Sequence, residues 1–77
     1  MKTEILLFGR LTELLGHERI SVEDIYDTDT LRKYLLDQYP VLLDVKYHIA
    51  VNQQSVQTKK TITDGMIVAL MPPFSGG

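Results

Sequence analysis

Apolar and polar residues alternate with a period that changes several times along the chain. Ile5 to Phe8 is an unbroken apolar run closed by Gly9, the pattern of a strand buried on both faces. Leu11, Leu14 and Leu15 then fall at i, i+3 and i+4, a short helix that Gly16 is placed to end in the left-handed conformation. Ile20 and Val22 alternate with Arg19 and Ser21, which predicts a half-exposed strand returning as a hairpin partner of the first. Leu31, Tyr34, Leu35 and Tyr39 make one apolar stripe at helical spacing, while Arg32, Lys33 and Asp37 lie elsewhere on the wheel. Asp27 or Thr28 can cap that helix, Asp29 suits its first turn, and Pro40 stops it. Val45, Tyr47, Ile49 and Val51 alternate with Lys46, His48, Ala50 and Asn52, a strand with one wet face. A turn at Asn52 to Gln54 and a stub of strand at Ser55-Val56 follow. Asp64-Gly65 is a turn that launches a last apolar run, Met66 to Met71.

Two wholly apolar strands, one near each end, predict a central neighbouring pair covered from both sides. Parallel strands joined through a crossover helix give that pattern. The order strand, short helix, strand, helix, strand, short strand, strand, with the end strands paired, is the ubiquitin-like β-grasp arrangement. The expected fold is therefore α+β, a mixed sheet whose central parallel terminal strands pack on a helix, spanning residues 1–71. A plain α+β roll is the alternative that periodicity leaves open.

Composition narrows the function. With 77 residues, 44% hydrophobic and 23% charged, the sequence has the balance of one small globular domain. Ten acidic against eight basic residues give a net charge of −2, too little cation to neutralise phosphates, so nucleic acid is not an expected partner. Cysteine is absent, which removes disulfides, thiolate metal ligands and a thiol nucleophile. The four-residue apolar run near the start is far short of a secretory or spanning segment, so cytoplasmic residence without membrane contact is the expectation.

The last six residues, 72–77, read as an extended tail: Pro72-Pro73-Phe74-Ser75-Gly76-Gly77. Two prolines remove two backbone donors and stiffen the chain. Stretched out, six residues span roughly 20 Å, enough to reach the floor of a pocket on another protein. Gly76 and Gly77 have no side chain and fit a narrow channel, leaving a terminal carboxylate open at the tip. A Gly-Gly end arises by chance in about one chain in 200, and a frayed terminus is the alternative. Here the pair follows a stiff Pro-Pro directly off an apolar strand, which favours delivery. A carboxylate is ionised at neutral pH and must be activated before it reacts, most simply as an acyl adenylate made by an ATP-binding partner. Gly9, Gly16 and Gly65 are too scattered to cradle phosphates in this chain itself. Sulfide replacing the adenylate would leave a thiocarboxylate.

These residues resemble the small, sulfur-carrying subunit of molybdopterin synthase, the MoaD family. The likeness is carried by Ala50-Val51-Asn52-Gln53, Val56, Thr63-Asp64-Gly65, Val68-Ala69 and the closing Pro72-Pro73-Phe74-Ser75-Gly76-Gly77. Leu6-Leu7-Phe8 and Glu13-Leu14-Leu15-Gly16 are similar too. The resemblance implies that Gly77 becomes a glycyl adenylate and then a thioglycine, with Gly76 as its slim neighbour. It implies sulfur transfer to a cyclic pyranopterin monophosphate on the large subunit, in a heterotetramer, where two sulfurs make a dithiolene. It also implies visits to an ATP-dependent activating enzyme that supplies ATP and Mg, with no cofactor bound by this chain. Positions matching Phe8 and Met71 would contact the large subunit, and Pro72, Pro73, Phe74 and Ser75 would lead the tail to it. Met66-Ile67 after the turn, where acidic residues are common, and Phe74, where a small aliphatic is common, depart from the family pattern.

The remaining polar residues carry less. For Phe8 and Met71 core packing competes with an apolar docking patch. His17 and His48 lack ligand spacing, and no metal is assigned. Arg10, Lys59 and Lys60 read as solvated charge before they read as steering groups. Glu18, Glu23 and Asp24 form no paired-carboxylate site, so no catalysis is expected of the chain alone. Sulfur delivery for thiamine or transfer-RNA thiolation, and a ubiquitin-like binding module or protein tag, are the competing readings.

Overall fold

The computed structural model describes residues 1–56 and 58–72. Five strands form one sheet: β1 (Lys2–Leu7), β2 (Arg19–Glu23), β3 (His48–Val51), β4 (Gln54–Ser55) and β5 (Val68–Met71), in the order β2-β1-β5-β3-β4. The end strands β1 and β5 are the parallel pair, with Ile5, Leu6 and Leu7 opposite Val68, Ala69 and Leu70. All other pairings are antiparallel. Two helices, α1 (Arg10–Leu15) and α2 (Thr28–Gln38), and a 3-10 turn at Pro40–Asp44 complete the described elements. The β-grasp order expected from the sequence is the order observed.

One layer of helix covers one face of this sheet. Its core unites Ile5 and Leu7 of β1, Val22 of β2, Ile49 and Val51 of β3, and Val68 and Leu70 of β5 with Leu11, Leu15, Leu31, Leu35, Leu42 and Ile62. β1, β3 and β5 each contribute alternate residues, as the pleat requires. α1 ends at Gly16, whose φ of 76° is the left-handed conformation and whose N–H donates to the Thr12 carbonyl at 2.9 Å. α2 begins at Asp27, whose side chain accepts from the Thr30 N–H at 2.7 Å.

Four local expectations are corrected. Thr28 does not cap: it lies buried in the first turn, and its Oγ1 accepts the Lys60 N–H at 3.0 Å, so it docks the 59–62 segment against α2. Tyr34 leaves the stripe and is exposed, because Leu31, Leu35 and Thr28 already fill the strip of α2 that meets the sheet. The third strand starts at His48 rather than Val45, since Val45 closes the 3-10 turn that Pro40 opens. Finally, the central strands are not covered on both sides. Phe8 and Ile67 stand 44% and 52% exposed, and the second face of the sheet has no helix on it among the described residues.

Candidate functional site

The uncovered face presents a groove of about 320 Å³ lined by Leu6, Phe8, Ala50, Gln53, Ile67, Ala69 and Met71. Strand register builds it. Leu6, Ala69 and Ala50 sit side by side on β1, β5 and β3 and form the floor. Ala50 and Ala69 are only 5% and 8% exposed although neither joins the cluster packed under the helices, because larger neighbours wall them in. Phe8 and Met71 stand at the end where the parallel strands finish, and Phe8 is fixed there by its N–H donating to the Leu70 carbonyl at 3.2 Å. Ile67 and Gln53 stand at the opposite end. Toward β2 the same face turns polar: Glu4 of β1 and Arg19 of β2 form an exposed ion pair at 3.5 Å. An apolar centre with a charged margin is the anatomy of a protein-docking surface.

Pro72 follows Met71 at the Phe8 end of this groove. Its ring packs closely on the Gly9 corner: a Cβ at Gly9 would lie 3.0 Å from Pro72 Cγ, and Gly9 itself has φ of 58°. A side chain at residue 9 would meet both obstacles, steric and torsional. Glycine there lets the β1–α1 corner abut the first residue after β5. A second cavity of about 250 Å³ flanks Pro72 on its other side, with Arg10 and Lys46 as its cations and Asp44 as its acid.

Phe8 and Met71 thus share the lining of one groove, with Pro72 following at its end, and none of the three belongs to the core cluster. Pro73, Phe74, Ser75, Gly76 and Gly77 lie outside the described residues. Arg10 borders the tail root, whereas Lys59 and Lys60 border a polar hollow with Gln54, Ser55 and Val56. No group of three or more His, Asp or Glu side chains converges on a metal-sized point among the described residues. No helix is long and apolar enough to cross a membrane, again among the described residues. Sequence reasoning missed Leu6, Ala50, Ala69, Gln53 and Ile67 as groove residues. The signal was present: two apolar runs need two covering layers, and the chain encodes helix enough for one.

The profile of the ThiS family matches residues 5–77. The Escherichia coli K12 protein named molybdopterin synthase sulfur carrier subunit is 34% identical over 79 aligned positions, covering 96% of this chain and 98% of that protein. A Pyrococcus furiosus protein assigned as subunit 1 of molybdopterin converting factor superimposes with a TM-score of 0.85 at 20% identity, covering 95% of this chain and 98% of that one; this likeness is one of fold. A chain in the complex of subunits 1 and 2 of molybdopterin-converting factor from Helicobacter pylori 26695 superimposes with a TM-score of 0.73 at 26% identity, each chain covered in full. The chain belongs to the ThiS family, and its likeness to molybdopterin synthase sulfur carrier subunits extends over nearly its whole length.

Proposed function

We propose that this chain is the sulfur carrier subunit of a molybdopterin synthase, docking through the groove and delivering sulfur on its terminal Gly77. The observation that supports it best is the apolar groove ending at Phe8, Met71 and Pro72, where the tail takes off. A partner seated in that groove lies within reach of everything the tail carries. The E. coli relative's name supplies the chemistry, and the H. pylori complex supplies the kind of partner, a second subunit.

The reaction begins at an ATP-dependent activating enzyme, where Mg-bound ATP accepts attack by the Gly77 carboxylate. An acyl adenylate forms and pyrophosphate leaves. A sulfur nucleophile then displaces the adenylate, so that one carboxylate oxygen is replaced by sulfur. On the large subunit the thiocarboxylate sulfur attacks a side-chain carbon of a cyclic pyranopterin monophosphate, forming a carbon–sulfur bond as that carbon's bond to oxygen breaks and the oxygen departs with the bonding pair. Hydrolysis of the acyl link returns the Gly77 carboxylate and leaves the sulfur behind. Two such deliveries build the dithiolene. Gly76 and Gly77 fit this role because neither places a side chain beside the reacting carbonyl. The subunit catalyses nothing alone, binds no cofactor of its own, and works in the cytoplasm with neither nucleic acid nor membrane as partner.

Incubation of the full chain with its activating enzyme, ATP, Mg and a sulfide source should shift the intact mass by one oxygen-to-sulfur exchange. Removal of Gly77 should abolish the shift while leaving the melting temperature unchanged. An unshifted wild-type mass sinks the proposal. Charging without transfer to the pyranopterin keeps the carrier chemistry and assigns it a different acceptor.

A further inference from the structure

The turn between β3 and β4 holds the far end of the groove together. β3 ends at Val51, opposite Val68, and the chain then reverses through Asn52 (φ 50°) and Gln53 (φ 69°), both left-handed. The sheet's bonding nevertheless continues one residue further. The Asn52 N–H donates to the Ile67 carbonyl at 2.7 Å, and the Ile67 N–H donates to Asn52 Oδ1 at 2.9 Å. The carboxamide therefore takes the place of the strand carbonyl that the reversal has carried away. Ile67 lies before β5 begins and is 52% exposed, so little packing holds it. One residue earlier, the Met66 N–H donates to the Thr63 carbonyl at a longer 3.3 Å.

Two requirements meet at residue 52: a backbone that tolerates positive φ and a short side chain ending in an acceptor. Asparagine and aspartate satisfy both, glycine only the first, and most residues neither. Ile67, one member of this reciprocal pair, and Gln53, the residue after the other, are the two that close the groove at the end away from Met71.

We propose that Asn52 is a positioning residue for docking: its carboxamide fixes Ile67 as the distal wall against which the large subunit packs. The inference rests on the groove being the large subunit's seat, and it adds that affinity for that partner is set partly at this distal wall, through a residue outside the groove lining.

The test is titration of the full chain with its large subunit, well below the melting temperature of every variant. Phe8→Ala serves as the probe of the groove itself. Ile67→Ala should weaken binding about 5–30-fold, the range of an ordinary interface anchor. Asn52→Gly, which keeps the turn and loses the acceptor, should weaken it by roughly 5-fold or more. Asn52→Asp, which keeps the acceptor, should restore affinity to within about twofold of the parent. The double variant Asn52→Gly/Ile67→Ala should bind no worse than Ile67→Ala alone, because the first residue acts through the second. A purely structural role would lower the melting temperature of Asn52→Gly and leave its affinity at the parent value. That result, or additive losses in the double variant, overturns the inference. If Phe8→Ala is weakened while Asn52→Gly is not, the groove reading stands and this inference alone falls. If Phe8→Ala binds like the parent, the groove reading falls first.

Discussion

Asp27 shows how one side chain couples the start of a helix to pH. Its carboxylate accepts the Thr30 N–H at 2.7 Å and the Thr30 hydroxyl at 3.0 Å. The backbone hydrogen bond from Thr30, then the Thr30 hydroxyl and the charge of Lys59, hold its pKa below the ordinary carboxylate value against the opposing effect of desolvation. A carboxyl whose pKa is depressed by folding adds stability above its unfolded pKa, near 4, and loses it as pH falls through the lower folded value. Asp27→Asn keeps a competent cap without the charge. Melting temperatures of parent and variant should therefore differ at neutral pH and converge below about pH 4. A gap of constant size across that range would show that the charge contributes nothing. Gly9 and Asn52 belong to the same scale and were unequally legible. Gly9 could be read as the end of a strand, but its contact with Pro72 joins residues distant in sequence. Asn52 stood out as a turn residue and as part of a motif, yet its bond to Ile67 exists only after β5 has come alongside β3.

At the scale of elements, α2 owes its place to a narrow strip rather than to the broad stripe its sequence suggests. Leu31 and Leu35 are fully buried, Thr28 nearly so, and Tyr34 is exposed. Leu35→Ala should destabilise the domain by about 2–5 kcal/mol, the cost of the lost methylenes plus the cavity they leave. Tyr34→Ala should change stability by no more than about 0.5 kcal/mol. Chemical denaturation of the two variants checks both, and comparable losses would mean that the strip is drawn wrongly. Periodicity named the elements and their order because each element's period reflects its own backbone. It failed on β3, where the 3-10 turn that Pro40 opens closes only at Val45 and residues 45–47 connect it to a strand that begins at His48. It failed again on the covering of β1 and β5. An apolar residue reports that something should cover it, and nothing in the sequence says whether the cover is this chain or another.

For the whole molecule, that last ambiguity becomes a division of labour. The covered face of the sheet holds the fold, and the uncovered face, with Phe8, Met71 and the alanine floor, is free to hold a partner. On the proposed function, six residues beyond β5 span at most roughly 20 Å when stretched, so a site receiving Gly77 would lie within that distance of the groove's Phe8 end. Docking and delivery are then separable by mutation. A chain lacking Gly77 keeps every groove residue and should occupy the large subunit without feeding it. Added to a sulfur-transfer assay run with charged parent chain, it should inhibit competitively, with an inhibition constant within about threefold of the parent's Kd, because both bind through the same surface. Phe8→Ala should do the reverse. Its tail can still be charged, so saturating concentrations should restore most of the parent rate, and the loss should fall on KM rather than kcat. Failure of the truncated chain to compete would mean that the tail, and not the sheet, supplies the binding energy. The groove would then need another occupant.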